Sequence, residues 1–102
     1  MTINKTLETR GSKYGAFSDN ARITQQLEDV IKTAPNYDKL HNEHKEAFHM
    51  ILHKISRSVC GDPMYADNAH DIVGYAQLLE DFIIEENEKL LIDWSVDMGK
   101  SC

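Results

Sequence analysis

Lys54 and Arg57 stand three residues apart, so on a helix they share a side, and Glu46, Met50 and His53 join them by the i, i+3, i+4 and i+7 relations. Lysine meets a phosphate as a point charge and arginine as a bidentate fork, which makes the pair a candidate phosphate grip. The same row also fits a solvated helix face lying opposite an apolar stripe. Asp67 and Asp71 are four apart, so both carboxylates project one way. With Glu46 they can hold one Mg²⁺ through carboxylates, water and phosphate oxygens. Their structural uses are Asp67 as a helix cap or first-turn charge and Asp71 as an ion-pair partner of Lys54 or Arg57.

A second set lies near the start of the chain. Arg10-Gly-Ser-Lys13-Tyr14-Gly15 combines backbone freedom, two cations and an aromatic face, which suits a phosphate joined to a stacked base. The Gly-x-x-x-x-Gly-Lys-Ser/Thr order of a phosphate-cradling loop is absent. The alternative is an ordered loop whose Tyr14 and Phe17 pack on the helices. Among the histidines, His49 and His53 are four apart. Zinc needs three or four converging ligands, however, and neither a cysteine pair nor the His-Glu-x-x-His order accompanies them. Ser56 and Ser58 lie near His53 without the turn that exposes a nucleophile.

These residues must be positioned by helices. Residues 1–18 read as a loop-rich segment, with Ser18, Asp19 or Asn20 as the cap of the first helix. Ile23, Leu27, Val30 and Ile31 then recur as one helical stripe ending near Ala34-Pro35. Asn42 caps a second helix over 43–59, whose core stripe is Phe48, Ile51, Leu52, Ile55 and Val59, with Gly61 as a left-handed stop before Pro63. A third helix starts between Tyr65 and Asn68 and buries Ala69, Ile72, Val73, Ala76, Leu79 and Ile83, with Gly74 admitting a close neighbour. Leu90 to Trp94 form a further apolar cluster, which either continues that helix or makes a separate one. No stretch alternates with period two for long enough to be a strand. The expectation is an all-α bundle of three to four helices in one domain, divided into 1–18, a helical core over 19–83 and an acidic segment over 84–102.

Composition narrows the function classes. Hydrophobic residues are 41% and charged residues 27%, too apolar for a disordered chain. The formal net charge of −6 is uneven: residues 80–102 hold seven Asp/Glu against two Lys/Arg, while the preceding residues are close to neutral. That acidic segment repels a phosphate backbone, so double-stranded nucleic acid is a disfavoured partner. There is no membrane-length apolar run and no signal-peptide pattern, which leads to the expectation of a cytoplasmic protein with Cys60 and Cys102 as thiols. A chain of this size buries only about 60 to 65% of its unfolded surface, so a homo-oligomer is expected.

Taken together, Arg10-Gly-Ser-Lys-Tyr-Gly-x-Phe-Ser-x-Asn-Ala-Arg22, His44-Lys-Glu-Ala, His53-Lys-Ile-x-Arg57, Gly61-Asp-Pro-x-Tyr65-x-Asp67 and His70-Asp-Ile-x-Gly-Tyr75 resemble a family of small phage and prophage proteins of unknown function. The resemblance spans about residues 8–82. More distantly, the Tyr-Gly loop, the Lys-x-x-Arg helix and the Asp-x-x-x-Asp helix are similar to a nucleotide-modification-associated phage domain and to the all-helical MazG-like pyrophosphohydrolases. Where those enzymes carry a Glu-Glu-x-x-Glu run and a Glu-x-x-Asp pair, this chain has Glu43, Glu46, Asp67 and Asp71.

The resemblance and the residues together imply a phage-type accessory protein that binds a small phosphorylated nucleotide through Arg10, Lys13, Tyr14, Arg22, His53, Lys54, Arg57 and Tyr75. Sequestration of a host signalling nucleotide is the corresponding role. The enzyme alternative uses Glu46, Asp67 and Asp71 to hold Mg²⁺ while Lys54 and Arg57 steady a triphosphate for release of pyrophosphate. A third alternative is an inhibitor of a protein partner, acting through Leu90 to Trp94 and the acidic segment.

Overall fold

The computed structural model describes residues 11–100, and side chains as far as Ile92. A helical turn over 11–14 leads into α1 (Phe17–Lys32). A 3-10 turn (Tyr37–Lys39), α2 (Asn42–Cys60) and α3 (Ala66–Lys100) come after it. The fold is all-α, with no strand among the described residues. No helix among them is long and apolar enough to cross a membrane. The cluster that begins at Leu90 continues α3 without a break.

The helix starts differ from the expected caps. α1 begins after Ala16, without a side-chain cap. Asn20 lies inside the helix, and its Nδ2 donates to the carbonyls of Tyr14 and Ala16 at 2.6 and 3.1 Å. α2 is entered through His41, whose N–H donates to Nδ1 of His44 at 3.1 Å. Asn42 is already helical.

α2 is the element on which both other helices pack. Its run is antiparallel to each, because Ser56 meets Asn20 and His49 meets Glu28 on α1, while Lys54 meets Asp71 and His41 meets Phe82 on α3. A helix flanked on two sides keeps only part of its surface in solvent. Of the row for which a solvated face was one of the two readings, Glu46 is exposed, but Met50, His53, Lys54 and Arg57 are half-buried, and the Lys54 side chain is only 12% exposed.

The expected apolar stripes show the converse. Val30, Val59 and Val73, assigned to the core from periodicity, are all about two-thirds exposed, and Ala69 and Ala76 also face out. Among the described residues the buried apolar side chains are Ala47 and Leu79, while the buried polar ones are Asn20, Thr24, Ser56 and Asn68. The junction of the helices is therefore filled largely by small and polar groups. Ser56 is satisfied by Asn20, whereas Thr24 Oγ1 and Asn68 Nδ2 have no partner among the described residues.

Two glycines clamp the first turn to the end of α2. Gly15 has φ of +84°, and a Cβ there would lie 2.4 Å from the Cys60 carbonyl oxygen. A Cβ on Gly61 would lie 2.3 Å from the Lys13 carbonyl oxygen, which accepts the Asp62 N–H at 3.0 Å. Gly61 is not the left-handed stop expected: its φ is −112°, and close backbone approach is what requires glycine. Gly74, by contrast, has open space where a Cβ would stand.

Candidate functional site

The clamp sets the position of Tyr14. Its backbone is held by Asn20 and by the Gly15–Cys60 contact, and its ring lies 4.5 Å beneath the Arg57 guanidinium. Arg57 projects from the last turn of α2, so the pair joins the N-terminal turn to α2. Beside it lies a groove of about 420 Å³, lined by Gly11, Tyr14, Gly15, Ala16, Phe17, Asn20, His53 and Arg57. Phe17 is 87% exposed at this groove, rather than packed on the helices as the structural alternative supposed.

Tyr65 also packs on Tyr14, edge to face at 5.6 Å between ring centres. The Lys13 ammonium lies 4.9 Å over the Tyr65 ring. The Tyr65 hydroxyl donates to Asp67 Oδ2 at 2.7 Å, and this bond, aided by one with Tyr14, holds the phenol well above its ordinary range. The result is a cluster of two cations and two tyrosines. Arg57 and Lys13 lie over rings, and neither forms an ion pair with a described carboxylate.

Burial lowers the pKa of His53 from 6.5, and the nearby charges of Arg57 and Lys54 and the ring of His49 lower it further. It therefore faces the groove as a neutral imidazole at neutral pH, able to donate at one nitrogen and accept at the other. Lys54 pairs with Asp71 at 2.9 Å, the structural use anticipated for that carboxylate. The hydrogen bond from Lys54 is the main reason the Asp71 carboxyl is held below its ordinary value.

The remaining expected residues are not gathered here. Arg22 reaches toward Asp19 at 3.9 Å on the exposed side of α1. Tyr75 lines a shallow depression on α3 with His70, Asp71, Gly74, Gln77 and Leu78. Arg10 falls outside the described residues. Of the three carboxylates assigned to a metal, Asp67 is taken by Tyr65, Asp71 by Lys54, and Glu46 lines a different cavity. Among the described residues no group of three or more His, Cys, Asp or Glu converges as a metal-holding set. Ser56 is fully buried and bonded to Asn20, so it is not a nucleophile open to a substrate.

That other cavity, about 450 Å³, lies between α1, the 3-10 turn and α2. It has Glu28 Oε1 hydrogen-bonded to His49 Nδ1 on one wall and Lys45 over the Tyr37 ring on another. The Glu28–His49 pairing was invisible in the sequence because the two residues sit on different helices. Phe17, Asn20 and Tyr65 were likewise missed as parts of the site. For Phe17, the only signal was its place in the Arg10 to Arg22 segment.

No family model, curated relative or solved structure matches this chain. The functional reading therefore rests on the groove and its chemistry.

Proposed function

We propose that the groove beside Tyr14 binds a small phosphorylated nucleotide, with the phosphate on Arg57 and the base against Phe17. The observation that carries this reading is Arg57, held over the Tyr14 ring at the groove with no described carboxylate to neutralise it. An arginine fixed in this way offers its fork of N–H donors to an anion with little ordering cost. Phe17 adds an uncovered aromatic surface for a planar group, and the groove volume lies within the range of small-ligand sites.

The arrangement favours retention over turnover. Asp67 and Asp71 already have hydrogen-bonding partners, and the clustered functional groups are cations, aromatic rings and a neutral imidazole. In a phage-type accessory role, such a protein would sequester a host signalling nucleotide in the cytoplasm. The helices would form the rigid part of a bundle that presents the groove.

The test is equilibrium dialysis of the protein against nucleoside mono-, di- and triphosphates and cyclic and ADP-ribose-type nucleotides, with and without Mg²⁺. The recovered material is then resolved by chromatography. Unaltered ligand retained without metal, and lost in Arg57→Ala, supports the reading. Absence of retention across the panel rejects it, and Mg²⁺-dependent release of pyrophosphate would replace it with the hydrolase.

A further inference from the structure

We infer that the cavity between α1, the 3-10 turn and α2 is a second ligand site, which takes a free α-amino acid with a large apolar side chain. The inference is independent of the groove beside Tyr14, with which this cavity shares no lining residue. It begins with the register of two antiparallel helices. Glu28 on α1 is level with His49 on α2, since the two are hydrogen-bonded. Lys32 stands four residues further along α1 and Lys45 four residues back along α2, so the two lysines are level with each other. Four residues of helix rise about 6 Å. The cavity is therefore walled by a carboxylate at one level and by two ammonium groups one turn away, beside the connection.

The protein leaves these charges open to a ligand. Neither Lys32 nor Lys45 forms an ion pair with a described carboxylate, and the Lys45 ammonium lies 5.3 Å over the Tyr37 ring. The Glu28 side chain is only 17% exposed. His49 takes one of its oxygens, and an ionised carboxylate has lone pairs left for further donors. Glu46 also lines the cavity but is exposed, so water screens its charge. Ile31, Leu40, Phe48 and Leu52 supply the apolar part of the wall, and all four are half-buried.

One class of small molecule answers every part of this wall. An α-amino acid carries its ammonium and its carboxylate on the same carbon. Groups about 6 Å apart can meet both at charge-assisted hydrogen-bond length, with the ammonium on Glu28 and the carboxylate on the lysines. A branched or aromatic side chain then covers Ile31, Leu40, Phe48 and Leu52. A simple amine would leave the lysines unanswered, and a simple acid would leave Glu28 so. The cavity volume, about 450 Å³, lies within the range of small-ligand sites.

The experiment is calorimetric titration of the full chain with free leucine, phenylalanine and alanine, and with N-acetylphenylalanine and phenylalaninamide. Leucine or phenylalanine should bind saturably at or below about 1 mM. Alanine should bind roughly 10-fold more weakly or worse, because it leaves the apolar wall uncovered. Each blocked derivative loses one charge and should also bind roughly 10-fold more weakly or worse. Glu28→Gln, Lys32→Met and Lys45→Met are each expected to weaken binding of the free amino acid. The two lysine variants change exposed side chains and keep the Glu28–His49 bond, so they decide the matter even if Glu28→Gln fails to fold. No saturable binding of leucine or phenylalanine, equal binding of the free and blocked compounds, or full affinity in both lysine variants would overturn the inference.

Discussion

The single hydroxyl proton of Ser56 is shared between the main-chain and side-chain oxygens of Asn20, each 3.0 Å away. Asn20 in turn donates its amide to Tyr14 and Ala16. One asparagine thus links α2, α1 and the turn that carries the candidate site. Its surroundings are buried, so a lost partner is not replaced by bulk water.

Ser56→Ala is therefore expected to destabilise the protein by about 1 to 3 kcal/mol, the range for a buried acceptor left without its donor. Asn20→Ala should do at least as much and also weaken ligand retention, since it releases Tyr14. Asn68→Leu is expected to cost nothing or to stabilise, because the Asn68 amide nitrogen has no partner among the described residues to lose. Urea unfolding of the three variants measures the ordering; Asn68→Leu proving the most damaging would contradict this account.

The glycines should separate sharply. Gly15→Ala combines a positive φ with a collision against the Cys60 carbonyl, and Gly61→Ala collides with the Lys13 carbonyl. Each is expected to cost about 2 kcal/mol or more. For a domain of this size that is a fall of roughly 10 °C in Tm. Gly74→Ala meets open space inside a helix and should stabilise by about 0.5 to 1 kcal/mol. Thermal melts distinguish the three.

Arg57→Ala is expected to weaken nucleotide retention by roughly 10- to 100-fold, the equivalent of charge-assisted hydrogen bonds worth about 1.5 to 3 kcal/mol. Arg57→Lys keeps the charge but loses the planar fork and its stacking on Tyr14, so it should recover only part of the affinity. Arg22→Ala should leave affinity unchanged, because Arg22 lies with Asp19 on the outside of α1. Calorimetric titration with the retained nucleotide provides the comparison.

The depressed pKa of His53 has a definite sign in stability. Above the ordinary value of 6.5 the ring is neutral in both folded and unfolded chains and favours neither. As pH falls below 6.5 the unfolded chain takes up a proton that the folded chain resists, so stability is lost until the folded value is passed. His53→Gln should flatten this part of the profile relative to the native protein. Chemical unfolding between about pH 5 and 8, the range in which histidine titrates, tests it. Identical slopes in the two proteins would show that His53 is not responsible.

Local chemistry made much of this structure legible in advance. Pro35, Gly61 and Pro63 bound α1 and α2 where the chain actually turns, and the apolar periods of 23–31 and 48–55 are helical in fact. The core was less legible. Periodicity reports which residues could be covered, whereas Val59 and Val73 are covered only if a neighbour exists on that side. The polar contents of the junction, Asn20, Ser56 and Asn68, break the apolar pattern, so periodicity did not mark them as buried; Asn20 was expected as a cap and Asn68 at a helix start. At the candidate site, Arg57 and Tyr14 were singled out from residue type, but their stacking was not foreseen, because it depends on the two glycine contacts that bring residues 14 and 57 together.

Every side chain that walls the groove comes from residues 11–57. During synthesis this segment leaves the ribosome before α3 exists, and α1 and α2 are antiparallel neighbours in the sequence, with only a short connection to close. The groove can thus be assembled early, and α3 arrives last to brace Lys54 through Asp71. In the life of each molecule, the surface that meets a ligand is the older part and the long helix the later addition.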